Sequence, residues 1–502
     1  MEGKAKTGIS PTRAEDFPQW FQNVVRDAEV AELDHVRGAM VIRPWGFGIW
    51  ELMQRALDDA IKETGAVNAY FPLFIPLSYF EEEAKHVEGF AKEMAVVTHH
   101  RLEQGEDGAL HPAAELPEPL VVRPTSETII GRSFAKWINS YRDLPLMVNQ
   151  WCNIVRWELR PRVLLRTTEF LWQEGHTAHA SEEEALEETR RMLGVYREFA
   201  EQVLAIPVIA GEKPESERFP GAEITLSIEA MMQDGKALQS GTSHFLGQNF
   251  SGAMEMEFTD EDGERKLCFT TSWGLSTRMM GAVVMTHADD NGLRVPPRVA
   301  PRQVRIVPIT RDDPALVLEA ADALRTEIAE QAWSDAPLRV ELDSRERKPA
   351  EKRWEWIRKG VPLVIELGER DIEQGVVTMT RRDDPGLKRD AIPRDGAAEA
   401  VAGVLGDMQS GYFEEASRRL RERTRDDITT LEEFREFFSS EETESGGFVK
   451  APWSEDPGTE ETMGELGVTV RCIPFGEELA SDARCVISGG AARVMAIFAK
   501  AY

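Results

Sequence analysis

The sequence predicts a mixed chain in three parts: an α+β unit, then an α/β unit, then a small, turn-rich α+β module. Three observations predict it. The stretch from Val155 to Ser181, with LPLMVNQWCNIV before it and TTEFLW inside it, sets apolar and β-branched residues on both sides of an arginine-rich loop. That pattern reads as strand, turn, strand. The segment RVPPRVAPRQ at 294–303 reads as a proline-rich hinge and marks the clearest boundary in the chain. Beyond it VRIVPI, DPALVLEAADALRTEIAEQA, LRVELD, a helix near 350–359, VPLVIEL and VVTMTRR alternate strand and helix. This is the grammar of an α/β domain of about 100 residues. A length of 502 residues allows about three domains, each able to bury its own core.

In order, residues 16–35 and 47–65 have helical spacing, with Gly65 placed to end the second helix. AVNAYFPLFIPLS reads as a strand interrupted by Pro72 and Pro76, which suits an edge, a bulge or an interface. EEEAKHVEGF (81–90) reads as a helix running into a loop. LVVRPTSETIIGR (120–132) reads as a strand and a capped helix start, with Thr125 or Ser126 capping and Glu127 and Thr128 in the first turn. The same hydroxyl and carboxylate could meet a ligand amine. Residues 181–204 form an amphipathic helix whose acidic start suits the helix dipole. GKALQSGTSHFLGQNFS (235–251) reads as turn-rich, with Gln239, Thr242 and His244 close together. TTSWGLSTRMMGAVVMTHADDNG (270–292) begins as strand and continues as a small-residue, apolar helix. Residues 398–438 read as charged helix, SSEETESGG as a linker, and the remainder as a module closing on a β-like run at Tyr502. There is no internal repeat, and no Walker-type or G-x-G-x-x-G loop.

Composition narrows the class. With 42% apolar and 29% charged residues the chain is globular, and no run is long enough to span a bilayer. The N-terminus lacks an apolar targeting core, and Cys152, Cys268, Cys472 and Cys485 fit no close-spaced framework, so a reducing cytoplasm is expected. The net charge of −29 lowers the expectation of nucleic-acid binding without excluding it. From Asp426 to Glu465 there are 13 acidic residues against Arg435 and Lys450, so this stretch alone carries over a third of the excess. A local basic patch elsewhere could still grip phosphates.

Three stretches carry chemistry. Alternation puts Arg156 and Glu158 on one face of the first strand, and Phe170 and Glu174 on one face of the second. A guanidinium, a carboxylate and an aromatic ring so arranged suit a nucleotide triphosphate, the arginine on a phosphate and the ring on a base. An ordinary hairpin with solvated ion pairs reads equally well from this stretch alone. Arg278, inside an apolar segment, is expected to pair with a buried anion, either a carboxylate or a bound phosphate. From Arg345 to Lys359 there are seven basic and three acidic residues interleaved with Trp354 and Trp356. That suits unstacked bases as well as phosphates, or a solvated helix face.

Taken together these pieces resemble the prolyl-tRNA synthetase family of the class II aminoacyl-tRNA synthetases, in its archaeal and eukaryotic-like architecture. NAYFPLFIP resembles the first class motif, VRWE…RTTEFLWQEGHTAHA the second, and TTSWGLSTRMMGAVVMTH the third. RPTSE, KHVEGF and GTSHFLG are prolyl in style, and GVPL with its preceding basic helix resembles the anticodon-binding domain. The resemblance implies an α+β catalytic domain (1–295) on a six-stranded, mainly antiparallel sheet. An α/β anticodon-binding domain (296–400) and a helical connector with a small α+β C-terminal domain (401–502) follow. It implies ATP-dependent activation of L-proline to prolyl-adenylate and transfer to the 3′ end of tRNA(Pro), by a cytoplasmic homodimer with no membrane association.

The resemblance also implies residue roles. Arg156 and Arg278 are the catalytic arginines on the triphosphate, Arg156 meeting the α-phosphate and the proline carboxylate. Glu158 and Phe170 hold adenine, Arg166 meets the distal phosphates, and Gln239 and Thr242 lie near the adenylate. Thr125 and Glu127 accept the proline ammonium, while Trp172, Glu174, His244 and Ser276 line the proline pocket with Arg156. Arg347, Lys352 and Glu355 face the anticodon. ATP with Mg²⁺ is the expected cofactor. About 65 residues separate Glu174 from Gln239, too few for an inserted editing domain. Ser454, Thr459, Cys485 and Ser488 stand where the family often has four zinc-binding cysteines, and one thiolate cannot make such a site, so no structural zinc is expected. Tyr502 is expected to pack toward the catalytic domain. A synthetase-like protein without activity would be expected to lose an ATP-site arginine or the anticodon patch. A threonine enzyme would need a metal-binding His/Cys set in the pocket.

Overall fold

The computed structural model describes residues 8–83, 93–439 and 446–502. The expectations for KHVEGF and for most of SSEETESGG lie outside the described residues. The first part contains α1 (Phe17–Asp27), α2 (Pro44–Glu63), β1 (Val67–Asn68), β2 (Phe74–Pro76), β3 (Val96–Gln104), β4 (Leu110–Val122) and α3 (Glu127–Trp137). It continues through β5 (Leu146–Val155), β6 (Glu169–His179), α4 (Glu182–Glu198), β7 (Val208–Glu212), β8 (Ile224–Met231), β9 (Ala237–Gly247), β10 (Phe269–Ser276) and α5 (Arg278–His287). The local signals explain several boundaries. Asp16 caps α1 by accepting from the Gln19 amide, Ser181 caps α4 by accepting from Glu184, and Gly65 takes φ +97° just past α2.

Six strands, in the order β7-β8-β9-β10-β6-β5, pair antiparallel throughout, with short β1 parallel to β5 at the edge. This is the mainly antiparallel sheet that the resemblance implies. Its two faces differ. One is packed by α4, whose buried Tyr196 donates to Gln173 and meets the Trp273 ring edge-on. The other, polar face is open and carries the site described below.

The second part is a five-stranded sheet, β12-β11-β13-β14-β15, made of β11 (Val304–Ile309), β12 (Val340–Leu342), β13 (Leu363–Gly368), β14 (Val376–Arg381) and β15 (Arg389–Pro393). The first three are mutually parallel and are linked through α6 (Pro314–Ala329) and α7 (Pro349–Arg358), as strand–helix alternation requires. The long α8 (Ala397–Glu422) then leads to β16 (Thr424–Arg425), α9 (Leu431–Ser439), β17 (Phe448–Trp453), β18 (Val468–Pro474) and β19 (Val494–Lys500). These last strands do not form a sheet of their own. β18 pairs with β7, so the large sheet runs unbroken through eleven strands.

Four readings of the sequence need correction. The first strand of the arginine-rich stretch ends at Val155, so Arg156 and Glu158 lie on the connection and not on a strand face. Residues 235–251 are largely the central strand β9, because Gly241 and Gly247 serve close packing against Tyr196 and Glu223 instead of marking loops. Neither Thr125 nor Ser126 caps α3, since both hydroxyls donate to carboxylates. The segment 294–303 is not an exposed hinge: Val295, Val299 and Ala300 are fully buried in the main core, and Arg294 pairs with Glu415 on α8 at 3.0 Å.

Candidate active site

The open face of the sheet is laid out in rows across the strands. Gln150, Glu174, Gly274, Thr242 and Ser227 are successive partners on β5, β6, β10, β9 and β8. His176, Ser272, His244 and Thr225 form the next row. Period-two alternation therefore turns Phe170, Trp172, Glu174 and His176 toward one side. Gly274 leaves the floor low at the centre; a Cβ there would stand 3.3 Å from the Trp172 ring. An irregularity between Ile228 and Glu229 puts Gln239 opposite Glu229, and Gln239 and Ser240 both line the cavity.

The walls of this cavity include eleven of the residues expected from the sequence: Thr125, Glu127, Arg156, Phe170, Trp172, Glu174, Gln239, Thr242, His244, Ser276 and Arg278. They come from stretches up to 153 residues apart in sequence. One end is acidic. Thr125 donates to Glu127, and buried Glu174 accepts from Ser126 (2.5 Å), Gln150 (2.7 Å), His176 (3.3 Å) and the Cys152 thiol (3.3 Å). Burial alone would raise the Glu174 pKa, but the bonds and charge of His176 and the donors Ser126 and Gln150 hold it below its ordinary value. Burial works against charge on His176 too, yet Glu174 and Glu127 raise its pKa. His244 is driven to about 3 by burial, then by the charges of His176 and Arg156, so it is neutral. Its Nδ1 lies 3.0 Å from the Thr225 hydroxyl, and its ring stacks at 4.7 Å on Phe219.

The other end is basic. Arg156 donates through Nε to the Pro124 carbonyl at 2.9 Å, and its guanidinium lies 5.8 Å from the Phe170 ring centre and 5.6 Å from that of Trp172. Arg156 is exposed and lines the cavity. Arg278, at the first turn of α5, reaches only the carbonyls of Leu165 (3.3 Å) and Gln239 (3.4 Å). Burial, then the charges of Arg156 and Arg166, lowers its pKa to about 10. It stays protonated at neutral pH without a carboxylate in ion-pair range among the described residues. A half-buried cation in that position suits an anionic ligand.

Some expected residues stand elsewhere. Glu158 and Arg166 lie on the β5–β6 connection outside the cavity wall, paired with each other at 3.3 Å. In the second sheet domain Arg347 pairs with Glu355 at 3.2 Å, on a surface depression. Lys352 corrects an expectation: it is buried, and its ammonium donates to the Asp343 carbonyl at 2.9 Å, because α7 turns that position toward the sheet. Other contributors escaped sequence reading. Gln150, Ser126 and His176 are ordinary residues of strand or helix end until the register brings them to Glu174. Phe219 and Thr225 lie in a segment with no legible motif.

At the C-terminal module Ser454 and Ser488 stand 3.5 Å apart, and the Ser488 amide donates to the Cys485 sulfur at 3.4 Å. Thr459 is committed to Trp453 and Asp456. One thiol among three hydroxyls does not fit a structural zinc ion. Tyr502 does reach the first part of the chain: its hydroxyl donates to Asp234 at 2.5 Å and its amide to Ala237 at 3.1 Å.

Comparison with known proteins identifies the class first. Residues 113–287 match the tRNA synthetase class II core domain (G, H, P, S and T), and residues 303–403 match the anticodon binding domain. The protein is a class II aminoacyl-tRNA synthetase. Residues 433–502 match the prolyl-tRNA synthetase C-terminal domain. The chain is 54% identical over 505 residues to the proline–tRNA ligase of Protochlamydia amoebophila, covering 99% of each. It is 55% identical over 504 residues to that of Paramagnetospirillum magneticum, covering 100% of each. The crystal structure of prolyl-tRNA synthetase from Cryptosporidium parvum, complexed with halofuginone and AMPPNP, superposes with a TM-score of 0.88 at 36% identity, covering 99% of this chain and 98% of that one. The chain belongs to the proline–tRNA ligase family.

Proposed function

We propose that the cavity binds L-proline and ATP side by side. The proline carboxylate attacks the α-phosphate to give prolyl-adenylate and pyrophosphate, and the prolyl group then passes to the 3′ end of tRNA(Pro). The observation that carries this reading is one cavity with an acidic end and a basic end, Glu127 and Glu174 at one, Arg278 at the other and Arg156 between them. Thr125, Glu127 and Glu174 receive the imino-acid ammonium, and Trp172, neutral His244 and Ser276 wall the ring. Arg156 lies between the ends, within reach of both the proline carboxylate and the α-phosphate, where charge builds in the transition state. Arg278 flanks the triphosphate, Gln239 and Thr242 hold the nucleotide, and Phe170 stacks on adenine. Glu158 and Arg166 join from the connecting loop by exchanging their mutual ion pair for adenine and the distal phosphates. Mg²⁺ carried in with ATP would supply charge neutralisation of the phosphates, alongside Arg156 and Arg278. No side-chain nucleophile is needed, since positioning and electrostatics suffice. The Cryptosporidium enzyme's complex with AMPPNP supports a nucleotide ligand for this family.

The chain from Glu174 to Gln239 is taken up by β6, α4, β7 and β8, which supports the absence of a cis-editing domain. The donor set at Cys485 supports a C-terminal module without zinc. We divide the chain into catalytic (1–295), anticodon-binding (296–400) and C-terminal (401–502) domains, the last adding strands to the first domain's sheet. Arg347 and Glu355 face the anticodon, with Lys352 bracing the helix that carries them. The enzyme works as a cytoplasmic homodimer. No helix among the described residues is long and apolar enough to cross a membrane.

Amino-acid-dependent ATP–pyrophosphate exchange across the twenty amino acids tests the reading. Proline is expected to give the fastest exchange, and Arg278→Ala to remove it. Faster exchange with another amino acid, or full exchange in that variant, overturns it.

A further inference from the structure

Outside the cavity wall, on the same face of the sheet, three charged side chains are buried together. Thr225, Ser227 and Glu229 alternate along β8, so Glu229 points to the cavity side. It is fully buried and accepts from Lys213 Nζ at 2.8 Å, from Ser227 at 3.2 Å, and from Arg471 through Nε at 3.1 Å and Nη2 at 3.0 Å. Arg471 lies on β18, in the C-terminal module, and its third nitrogen donates to Thr469 at 2.7 Å. Lys213 and Arg471 are themselves 1% and 6% exposed. The cluster therefore holds two cations against one carboxylate, a net positive charge out of water. Burying an excess charge costs free energy unless something nearby uses it.

Its neighbourhood supplies that use. Glu229 is the direct cross-strand partner of Gln239, whose carbonyl accepts from Arg278. Both Glu229 and Arg471 act on the Arg278 charge, Glu229 favouring it and Arg471 opposing it. Three basic groups, Arg278, Lys213 and Arg471, thus act on one carboxylate at the basic end of the cavity. The C-terminal module is also fastened at the turn of the β8–β9 hairpin, two ladder pairs from Glu229 and Gln239, where Tyr502 meets Asp234 and Ala237.

We propose that Arg471, acting through Glu229 and Lys213, is a positioning residue for ATP: the C-terminal module supplies the excess positive charge and the fixed carboxylate that hold Gln239 and Arg278 ready for the triphosphate. This rests on reading the basic end as the ATP end. An anionic ligand completes the cluster's charge balance, so the module contributes to nucleotide affinity without touching the nucleotide. Proline, bound at the acidic end, does not sense it.

The test is steady-state ATP–pyrophosphate exchange with full-length Arg471→Met, Arg471→Lys and Lys213→Met, alongside the wild type. Arg471→Met is expected to raise the KM for ATP about tenfold, leaving the KM for proline within about twofold. Lys213→Met, which removes one unit of the same charge from the other side of Glu229, is expected to do the same. It carries the test if Arg471→Met does not fold. Arg471→Lys keeps the charge and is expected to restore most of the ATP affinity, a recovery that lost packing alone would not produce. An unchanged KM for ATP in a folded charge-removing variant, or a parallel rise in the KM for proline, overturns the inference. Absence of proline-dependent exchange in the wild type would instead overturn the reading of the site itself.

Discussion

Glu174→Gln is the perturbation that most directly probes the acidic end of the cavity. The side chain is 2% exposed, and its carboxylate accepts from Ser126, Gln150 and His176. An amide of the same shape can keep these contacts, with neutral His176 accepting from the new NH₂, so what is lost is charge assistance. A hydrogen bond to a charged group contributes about 1 kcal/mol more than a neutral one. Three such bonds put the loss at about 3 kcal/mol of folding stability where both partners are ionised. The pH dependence follows from the directions of the two shifts. Glu174 is held below its usual 4.5, so its contribution is complete above that value and is lost as pH falls through the folded pKa. His176 is held above its usual 6.5, so its contribution is complete below that value and is lost as pH rises through the folded pKa.

The gap in apparent melting temperature between wild type and variant is therefore expected to be widest between about pH 4.5 and 6.5. Above that window it should shrink by the His176 share, about one third, as the imidazole loses its proton. The same substitution removes a carboxylate from the proposed ammonium site. A charge-assisted bond of about 2 kcal/mol predicts a KM for proline about 30-fold higher, with the KM for ATP within about twofold. Thermal melts from pH 4.5 to 9 and exchange kinetics at pH 7.5 decide the matter. A gap that stays constant or grows with rising pH would refute the ionised Glu174–His176 pair, and an unchanged KM for proline would refute the acidic end as the amino-acid end.

Arg278→Ala should lower kcat for exchange by about 10²- to 10³-fold, the usual loss when one donor to developing charge is removed; near-normal turnover would count against its role. Alanine activation should be measurable, because an apolar pocket discriminates by only about 1–3 kcal/mol per methylene, and an exchange assay with alanine showing none would contradict it. Purified protein should contain zinc well below stoichiometry, with Cys485→Ser unchanged in melting temperature; an equimolar ion lost on that substitution would reverse the assignment. Deleting Ala501 and Tyr502 removes the contacts with Asp234 and Ala237 and should slow activation, which single-turnover adenylate formation would show.

How far the sequence disclosed this arrangement depended on the range of each signal. Helix limits were legible where they are set within a turn, as Asp16, Ser181 and Gly65 act on residues three or four positions away, but helical spacing through residue 35 overran the first helix, which ends at Asp27 before a short strand at Ala31–Leu33. The strand-to-helix passage at Arg278 was legible because apolar alternation gives way to small residues there. β9 was not, since its glycines serve packing against Tyr196 and Glu223, and such partners do not show in a local pattern. The hydroxyls of Thr125 and Ser126 look like caps in one dimension; Thr125 donates instead to Glu127, and Ser126 to Glu174 once β6 brings it near. Burial of 294–303 escaped for the same reason, as proline-rich composition says nothing about what packs over it. Lys352 illustrates the limit most clearly: its charge invited a surface role, while the helix face it occupies is decided by Asp343 beneath it.

The polarity of the cavity also explains why so acidic a chain can handle two anionic reactants. Coulomb interactions between exposed charges fade within about 10 Å at ordinary salt, so the dense acid of residues 426–465 does not set the potential inside the cavity. Enclosed side chains do. Arg278 keeps its charge although burial, then the charges of neighbouring Arg156 and Arg166, lower its pKa to about 10. Such crowding of like charge is unfavourable in the empty protein and is relieved when phosphate enters, so part of the binding free energy is stored as repulsion among the arginines. At the opposite end Glu174 is fixed by its ion pair with His176, and Glu127 stands with it to receive an ammonium. A zwitterion can satisfy both ends only in one orientation, with its nitrogen toward Glu127 and its carboxylate toward Arg156. That orientation points the nucleophilic oxygen at the basic end, where the α-phosphate would lie, and the direction of attack is set by charge before any chemistry begins.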